Sequence, residues 1–198
     1  MQPPYSPANP GPPFANVEPQ LIDVRTGAEE LPELLCEQVL DLYQADQEAA
    51  RAANACRPFQ NPAYLAGSQQ RQQLRDLQEE ARSKSWAEEA IAADLRYRFS
   101  TCDRAVKVAN AVSTLHERRS AWLRAWELLA DFAQDHRPSE WQTPGMGKEG
   151  YASCQQAVLQ SQQELYVAQN LLTQGMNILY AQCVSLQARR GHPLKKAS

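Results

Sequence analysis

Hydrophobic residues recur along most of the chain at alternating steps of three and four, a spacing that places them on one face of an α-helix. This pattern predicts four helices, at about 30–56, 62–82, 86–135 and 149–190. No segment reads as a convincing β-strand. The predicted fold class is therefore all-α: an elongated antiparallel helical bundle with coiled-coil-like packing over residues 29–191.

Short polar signals predict where the helices begin and break. Asn61 followed by Pro62 is typical of an N-cap and a first helical residue. Ser85 with Glu88 three residues later forms a capping box, which predicts that a helix restarts there; one helix running straight through is the alternative. The polar residues 100–103 would kink or recap the long third helix.

Both ends of the chain are predicted to lie outside the bundle. Residues 1–28 form a predicted disordered, proline-rich tail, and residues 192–198 form a basic C-terminal tail. Prolines recur every third residue near the start, which places them on one edge of a polyproline II helix: Pro4, Pro7, Pro10 and Pro13. The overlapping PxxP patterns are candidate ligands for an SH3-type groove, although no basic residue precedes Arg25.

The length of 198 residues and the 43% of hydrophobic residues suit one domain with a sizeable core. The sequence has no run of about 18 apolar residues and no signal-peptide pattern. We therefore expect no membrane span and a cytoplasmic location, with secretion without a cleaved signal as the alternative. The five cysteines are odd in number and far apart, so we interpret them as reduced packing residues: Cys36, Cys56, Cys102, Cys154 and Cys183.

Charge is sorted along the sequence, although the net charge is only −3. Residues 18–48 hold nine acidic residues and one basic residue, whereas residues 96–124 hold seven basic and two acidic residues. This contrast predicts that the first helix lies against or near the basic stretch. Trp122 and Trp126 would offer stacking to a nucleic acid, but both lie on the apolar stripe. We therefore predict them in the core and do not expect a nucleic-acid partner.

The last predicted helix is nearly uncharged and rich in glutamine. Residues 151–188 contain nine glutamines and a single charged residue, Glu164. Glutamine can hydrogen-bond to another protein without the cost of burying a charge, so this helix is predicted to be central in the bundle or to form a subunit interface. A solvated neutral face is the alternative. The candidate interface residues are Gln155, Gln162, Gln169, Leu172, Met176 and Leu179.

Enzymatic patterns fail on spacing, so we predict no catalytic residue, no metal site and no cofactor. The cysteines form no CxxC pair, and the sequence has only three histidines. Fourteen residues separate Cys102 from His116, roughly 21 Å along one helix, which is too far for a nucleophile and its base. Gly147-Lys148 resembles part of a phosphate loop, but Gln142 and Glu149 stand where the Walker motif needs Gly and Ser or Thr.

These observations favour a non-enzymatic structural or interaction protein over an enzyme. The first hypothesis is a subunit or scaffold that self-associates, or joins a larger helical complex, through the glutamine-rich last helix. The second is a bacterial secreted effector or secretion-apparatus component, in which the uncleaved tail 1–28 serves as an export segment. The third is an adaptor that uses the PxxP tail.

Overall fold

The computed structural model of the chain describes residues 31–141 and 147–189. Every regular element in these residues is helical, which confirms the all-α class. The proline-rich tail with its four candidate prolines, and the basic tail 192–198, lie outside the described residues. The elements are α1 (Leu31–Asn54), a 3₁₀ turn (Arg57–Gln60), α2 (Pro62–Leu65), α3 (Ser68–Arg98), α4 (Asp103–Asp135) and α5 (Gly147–Arg189).

The described residues divide into two compact units, each a helical bundle. Unit 1 contains residues 31–46, 86–113 and 171–189, and unit 2 contains residues 47–85, 114–141 and 147–170. The long helices α1, α3, α4 and α5 each contribute one segment to each unit.

The sequence suggested a restart at Ser85 and a kink or recap at residues 100–103, and the structure has only the second of these breaks. The helix continues through Ser83–Ser85 as part of α3, and the chain leaves the helix instead at residues 99–102. Ser85 does not cap a helix, because its hydroxyl is buried in unit 2 and bonded to the side chains of His116 and Arg119. The capping-box pattern at Ser85 therefore does not mark a helix start, because its serine makes a tertiary contact.

Local chemistry accounts for the break at 99–102. Arg96 and Arg98 lie in the last turn of α3, and Asp103 lies in the first turn of α4. These charges complement the dipoles of the two helix ends that meet at the loop. The Cys102 amide donates to the Phe99 carbonyl at 2.8 Å, which closes a tight turn between α3 and α4. The predicted single helix at 86–135 is therefore two helices.

The predicted helix start at Asn61 is confirmed. The Asn61 side chain accepts a hydrogen bond from the Ala63 amide at 3.1 Å, and Pro62 occupies the first helical position. Because proline has no N–H to leave unpaired, it suits that position. The helix α2 that begins here is only four residues long, and α3 starts afresh at Ser68.

The core of unit 2 is built around two tryptophans of α4. Trp122 and Trp126 are buried, which confirms their prediction as core residues, and their rings meet edge-to-face at 6.3 Å between centroids. Such a geometry suits the quadrupoles of the two rings. The largest side chains packed with them are Phe59, Leu65, Leu74, Leu123, Leu129 and Trp141.

Two neighbouring helices of unit 2, α3 and α4, run antiparallel. Between α3 and α4, Arg82 bonds Glu127 whereas Arg75, seven residues earlier, bonds Gln134, seven residues later. The Gln78 side chain donates to the Leu123 carbonyl at 3.3 Å between the same helices. Partners that advance on one helix while they retreat on the other define antiparallel packing.

The core of unit 1 is made of smaller aliphatic side chains from α1, α3, α4 and α5. Leu42, Leu95 and Leu179 are fully buried, and Phe99 is its largest buried aromatic side chain. The apolar stripe predicted on the first helix therefore faces inward in this unit. The other buried hydrophobic residues are Leu35, Cys36, Val39, Ala90, Ala92, Ala105, Val108, Ala109, Val112, Leu172, Met176 and Cys183.

The expected pairing of acidic α1 with the basic stretch has one point of support, in unit 1. Arg98 lines a groove there together with Glu37 and Asp41 of α1. Its ion pair, however, is with Asp94 of its own helix at 2.8 Å. Within unit 2, Arg118 pairs with Glu164 of α5 at 2.7 Å. Of the ion pairs described for this basic stretch, neither is with an acidic residue of α1.

Two glycines of α5 let this helix approach α4 closely. A Cβ atom on Gly150 would lie 2.5 Å from the Phe132 ring in unit 2, and one on Gly175 would lie 3.3 Å from the Val108 side chain in unit 1. Glycine lowers helix stability relative to alanine by roughly 1 kcal/mol. Since the Phe132 ring is also stacked on His136 at 4.1 Å between centroids, it has little room to move away from residue 150.

We predict that Gly150→Ala lowers the free energy of unfolding by about 1–3 kcal/mol, because overpacking outweighs the gain in helix propensity. Equilibrium urea unfolding followed by circular dichroism measures the change. Gly67→Ala is the control, since only the flexible Gln70 side chain stands in its way. The double variant Gly150→Ala/Phe132→Leu should recover most of the loss relative to Phe132→Leu alone. A Gly150→Ala protein as stable as the original would contradict the close packing of α4 and α5.

Candidate protein interface and cavity

The predicted interface residues of α5 lie in different environments. Leu172, Met176 and Leu179 are buried in the core of unit 1, so they already have packing partners within the chain. A partner meeting α5 in unit 1 would therefore contact other side chains of this helix first. That placement follows from helix geometry, because residues seven apart share a face and this face is the apolar one.

The three predicted glutamines lie in unit 2. Gln155 is exposed, whereas Gln162 and Gln169 are half-buried and line a cavity. The Gln169 amide oxygen accepts a hydrogen bond from Arg119 at 3.5 Å. The structure thus brings Gln162 and Gln169 together and leaves Gln155 apart from them. The contact between the Gln169 amide and the buried Arg119 guanidinium could not be predicted from the sequence, because the two residues are 50 positions apart.

The solvent-exposed face of α5 carries large apolar side chains that the sequence analysis missed. We call it the α5 outward face. In unit 2 its apolar members are Leu159, Tyr166 and Val167, and in unit 1 they are Leu171 and Ile178. The other exposed members are Gln156, Gln163, Asn170, Gln174, Asn177, Ala181 and Ser185.

None of these residues is charged, and the one charged residue beside them on α5 is Glu164, seven residues before Leu171. Its side chain is 41% exposed and pairs with Arg118 of α4. Some exposed apolar side chains on other helices do have charged neighbours on the same face. Leu128, for example, stands between the exposed residues Arg124 and Asp131, one turn away on either side. A signal was present in the sequence: Leu159 and Tyr166, like Leu171 and Ile178, are seven residues apart and off the buried stripe. Because only one apolar stripe was considered for each helix, this second apolar stripe of α5 was not predicted.

A buried polar group lies beside the tryptophan core of unit 2. Arg119 is 1% exposed and donates to the Ser85 hydroxyl at 3.0 Å. The same hydroxyl is 2.9 Å from Nδ1 of His116. Serine and histidine at this distance have the geometry of a nucleophile and its base. Ser85 is only 2% exposed, however, and lines neither described cavity, so we assign the pair a structural role.

A cavity of about 210 Å³ opens in unit 2 between the end of α1, α4 and α5. We call it the Trp122 cavity. Its space exists because Ala50 and Ala53 present only methyl groups where α1 passes α4 and α5. Its polar lining residues are Asn54, Arg57, Arg119, Gln162 and Gln169, and Trp122, Leu165 and Tyr166 add apolar surface.

One residue beside the Trp122 cavity has a buried donor without a hydrogen-bond partner. The indole Nε1 of Trp122 makes no hydrogen bond within the chain, although the side chain is 1% exposed. A buried N–H without an acceptor costs roughly 1–3 kcal/mol, so such groups are uncommon in native proteins. Trp126 Nε1 is also unpaired, but Trp126 does not line the cavity.

A second groove, of about 170 Å³, lies between α1 and α3 in unit 1. Its lining includes the carboxylates of Glu37, Asp41 and Asp94. Asp94 accepts hydrogen bonds from both Gln38 and Arg98, so its charge is already compensated within the groove. Glu37 and Asp41 are exposed, which leaves them well solvated.

Metal and phosphate chemistry find no support in the part of the chain that the structure describes. Within residues 31–141 and 147–189, no group of three or more His, Cys, Asp or Glu side chains is placed to hold a metal ion. Residues 142–146 of the phosphate-loop-like segment lie outside the described residues, and Gly147 begins α5. None of the helices in the described residues is both long enough and apolar enough to cross a membrane.

Comparison of the chain with protein-family models, with curated protein sequences and with solved structures gives no match. The function proposed below therefore rests on the positions and exposure of the side chains described above.

All five cysteines are free thiols, and burial makes most of them poor nucleophiles. Burial raises the pKa of Cys56 in unit 2 to about 12. In unit 1, burial raises the pKa of Cys183 to about 12, and a hydrogen bond joins this thiol to that of Cys36. Burial likewise raises the pKa of Cys36 and of Cys154. Because the thiolate is the reactive form, these groups are packing residues at neutral pH.

We predict that iodoacetamide alkylates Cys56 and Cys183 at least 100-fold more slowly in the folded protein than in urea at pH 8. A thiol with a pKa of about 12 is ionised in roughly one molecule in ten thousand at that pH, against about one in four for an unperturbed cysteine. Peptide mass spectrometry resolves the sites, and half-buried Cys102 provides an internal comparison. Equal rates for Cys183 in the folded and unfolded states would contradict the burial. The folded-state rate should rise with pH until about pH 12, as the thiolate fraction grows.

Proposed function

We propose that the chain is a structural subunit that assembles with further copies of itself through the α5 outward face. The single observation that carries this proposal is the composition of that face. It includes five large exposed apolar side chains and no charged residue, and the one charged residue of the helix between positions 151 and 188, Glu164, lies at its edge and is paired with Arg118. Exposed apolar surface of this kind, bordered by polar residues, is typical of protein interaction sites.

The apolar members of the face would supply the free energy of association. Burying a leucine or isoleucine side chain contributes roughly 1.5–3 kcal/mol. Leu171 and Ile178 in unit 1 are 60% and 54% exposed, so most of that free energy is still to be gained. Leu159 and Tyr166 in unit 2 are exposed to a similar degree.

The amides favour a second copy of the chain as the partner. Each glutamine or asparagine carries two donors and one acceptor oxygen, so an amide-rich face is complementary to itself. Gln163, Asn170 and Gln174 are exposed on the α5 outward face. A charged face would repel its own copy, since like charges across an interface cost several kcal/mol. The net charge of −3 resides elsewhere in the chain, so it does not oppose contact at this face.

We predict that Leu171→Glu/Ile178→Glu weakens self-association at least about 100-fold, because four apolar side chains would be replaced by carboxylates across a symmetric pair. Sedimentation velocity over about 1–100 μM measures the association constant. The matched control is Tyr97→Glu/Leu128→Glu, because these residues are 61% and 56% exposed but lie on α3 and α4.

Both double variants change exposed positions, so their urea midpoints should stay near that of the original protein. The original protein and the control variant should show the same concentration dependence. A protein that sediments as a monomer throughout the range would contradict the proposal. So would a control variant that weakens association as much as Leu171→Glu/Ile178→Glu.

A further inference from the structure

Tyr166 belongs to two features of unit 2 at once. It is a member of the α5 outward face, where it is 65% exposed, and it also lines the Trp122 cavity next to Leu165. The cavity therefore opens beside the α5 outward face, and the two features form one continuous surface. A second copy of the chain that covers this face at Tyr166 also meets the mouth of the cavity.

The accessible surface of the cavity is mainly apolar. Ala50 and Ala53 present only methyl groups from α1, and Leu165 is half-buried on the opposite side, in α5. Asn54 and Arg57 line the same cavity and are exposed, which gives it a polar edge in contact with water. A tyrosine side chain suits such a site, because its ring is apolar and its hydroxyl is a polar tip.

The volume of the cavity fits one aromatic side chain. An apolar cavity of about 150 Å³ holds a benzene molecule. The Trp122 cavity measures about 210 Å³, so it has room for a phenol ring. Sites for drug-sized ligands begin at about 300 Å³. The size therefore favours a single projecting side chain over a larger free ligand.

The symmetry of a contact between identical copies selects the side chain. When two copies meet through the same face, they are related by a twofold axis, and each contact is made twice. Among the five large apolar side chains of the α5 outward face, Tyr166 is the one that borders the cavity. A twofold axis beside Tyr166 would bring each tyrosine to the cavity of the other copy.

We propose that Tyr166 of each copy inserts into the Trp122 cavity of a second copy, with its ring against Ala50 and Leu165 and its hydroxyl at the edge formed by Asn54 and Arg57. This insertion rests on the self-association through the α5 outward face proposed above, and it identifies the anchor of that contact. Aromatic side chains seated in pockets carry a large share of the binding free energy in many interfaces, and tyrosine is enriched among them.

Sedimentation velocity over about 1–100 μM tests the insertion from the side of the tyrosine. Tyr166→Ala should weaken self-association at least about 30-fold, because the anchor is lost. Tyr166→Phe keeps the ring, so its association constant should stay within about threefold to tenfold of the original value. Tyr97→Ala is the matched control, because Tyr97 is 61% exposed but lies on α3 in unit 1.

Ala50→Leu tests the insertion from the side of the cavity, because it fills the space from α1 and leaves α5 unchanged. It should weaken self-association at least about tenfold, while the urea midpoint stays the same or rises as the cavity fills. Ala121→Leu is its control, since Ala121 is an exposed alanine of α4 that does not line the cavity. The two variants Tyr166→Ala and Ala50→Leu remove the same contact, so their effects should not add in the double variant.

Three results would overturn the insertion even if the original protein self-associates and Leu171→Glu/Ile178→Glu weakens that association. The first is a Tyr166→Ala protein that associates as strongly as the original, a result that does not depend on filling the cavity. The second is a folded Ala50→Leu protein with unchanged association. The third is a Tyr166→Ala protein with a lower urea midpoint and unchanged association, which would assign the ring to its own chain. An original protein that stays monomeric over the whole range would overturn the self-association and the insertion together.

Discussion

Burial of the apolar stripe of α5 is the contact on which each unit depends. In unit 1 this stripe places Leu172 and Leu179 in the core, and in unit 2 it places Val158 and Ala168 there. Glycine at position 150 in unit 2 brings α5 close to α4, so the stripe is pressed against its neighbour at the expense of helix propensity. A helix fixed by one face has its opposite face fixed as well. The uncharged α5 outward face therefore points to solvent as a consequence of core packing.

The same packing explains why two sides of α5 carry no charge. The reason differs between the inner side and the flank in unit 2. The inner side must be apolar, and the flank in unit 2 borders the Trp122 cavity, where the Gln169 amide accepts a hydrogen bond from buried Arg119. A glutamate at position 169 would replace this neutral amide with a half-buried carboxylate. Only the outward face is free of such constraints, yet it too is uncharged. There the proposed contact with a second copy, not the fold, would supply the reason.

Hydrophobic periodicity and helix-capping signals in the sequence predicted most of the fold. The helical segments, the start at Asn61 and the burial of Trp122 and Trp126 follow from local spacing and local hydrogen bonding. The polar residues 100–103 likewise indicated the break between α3 and α4. The capping box at Ser85 was wrong, because a serine hydroxyl can serve a cap or a tertiary contact, and only its distance to His116 shows which. The cavity was equally hidden, since its lining comes from residues more than a hundred positions apart. The sequence identified α5 as unusually poor in charge. The packing of the helices determines which of its side chains are exposed to a partner.

The central claim is that the α5 outward face is covered in the assembled protein, and hydroxyl-radical footprinting of the original chain tests it most directly. Oxidation is compared by peptide mass spectrometry at a low protein concentration and at one about a hundredfold higher. The account predicts that Leu159, Tyr166, Leu171 and Ile178 become protected at the higher concentration, while Tyr97 and Leu128, equally exposed on other helices, stay reactive. Unchanged oxidation of α5, or protection of Tyr97 and Leu128 in its place, would contradict it.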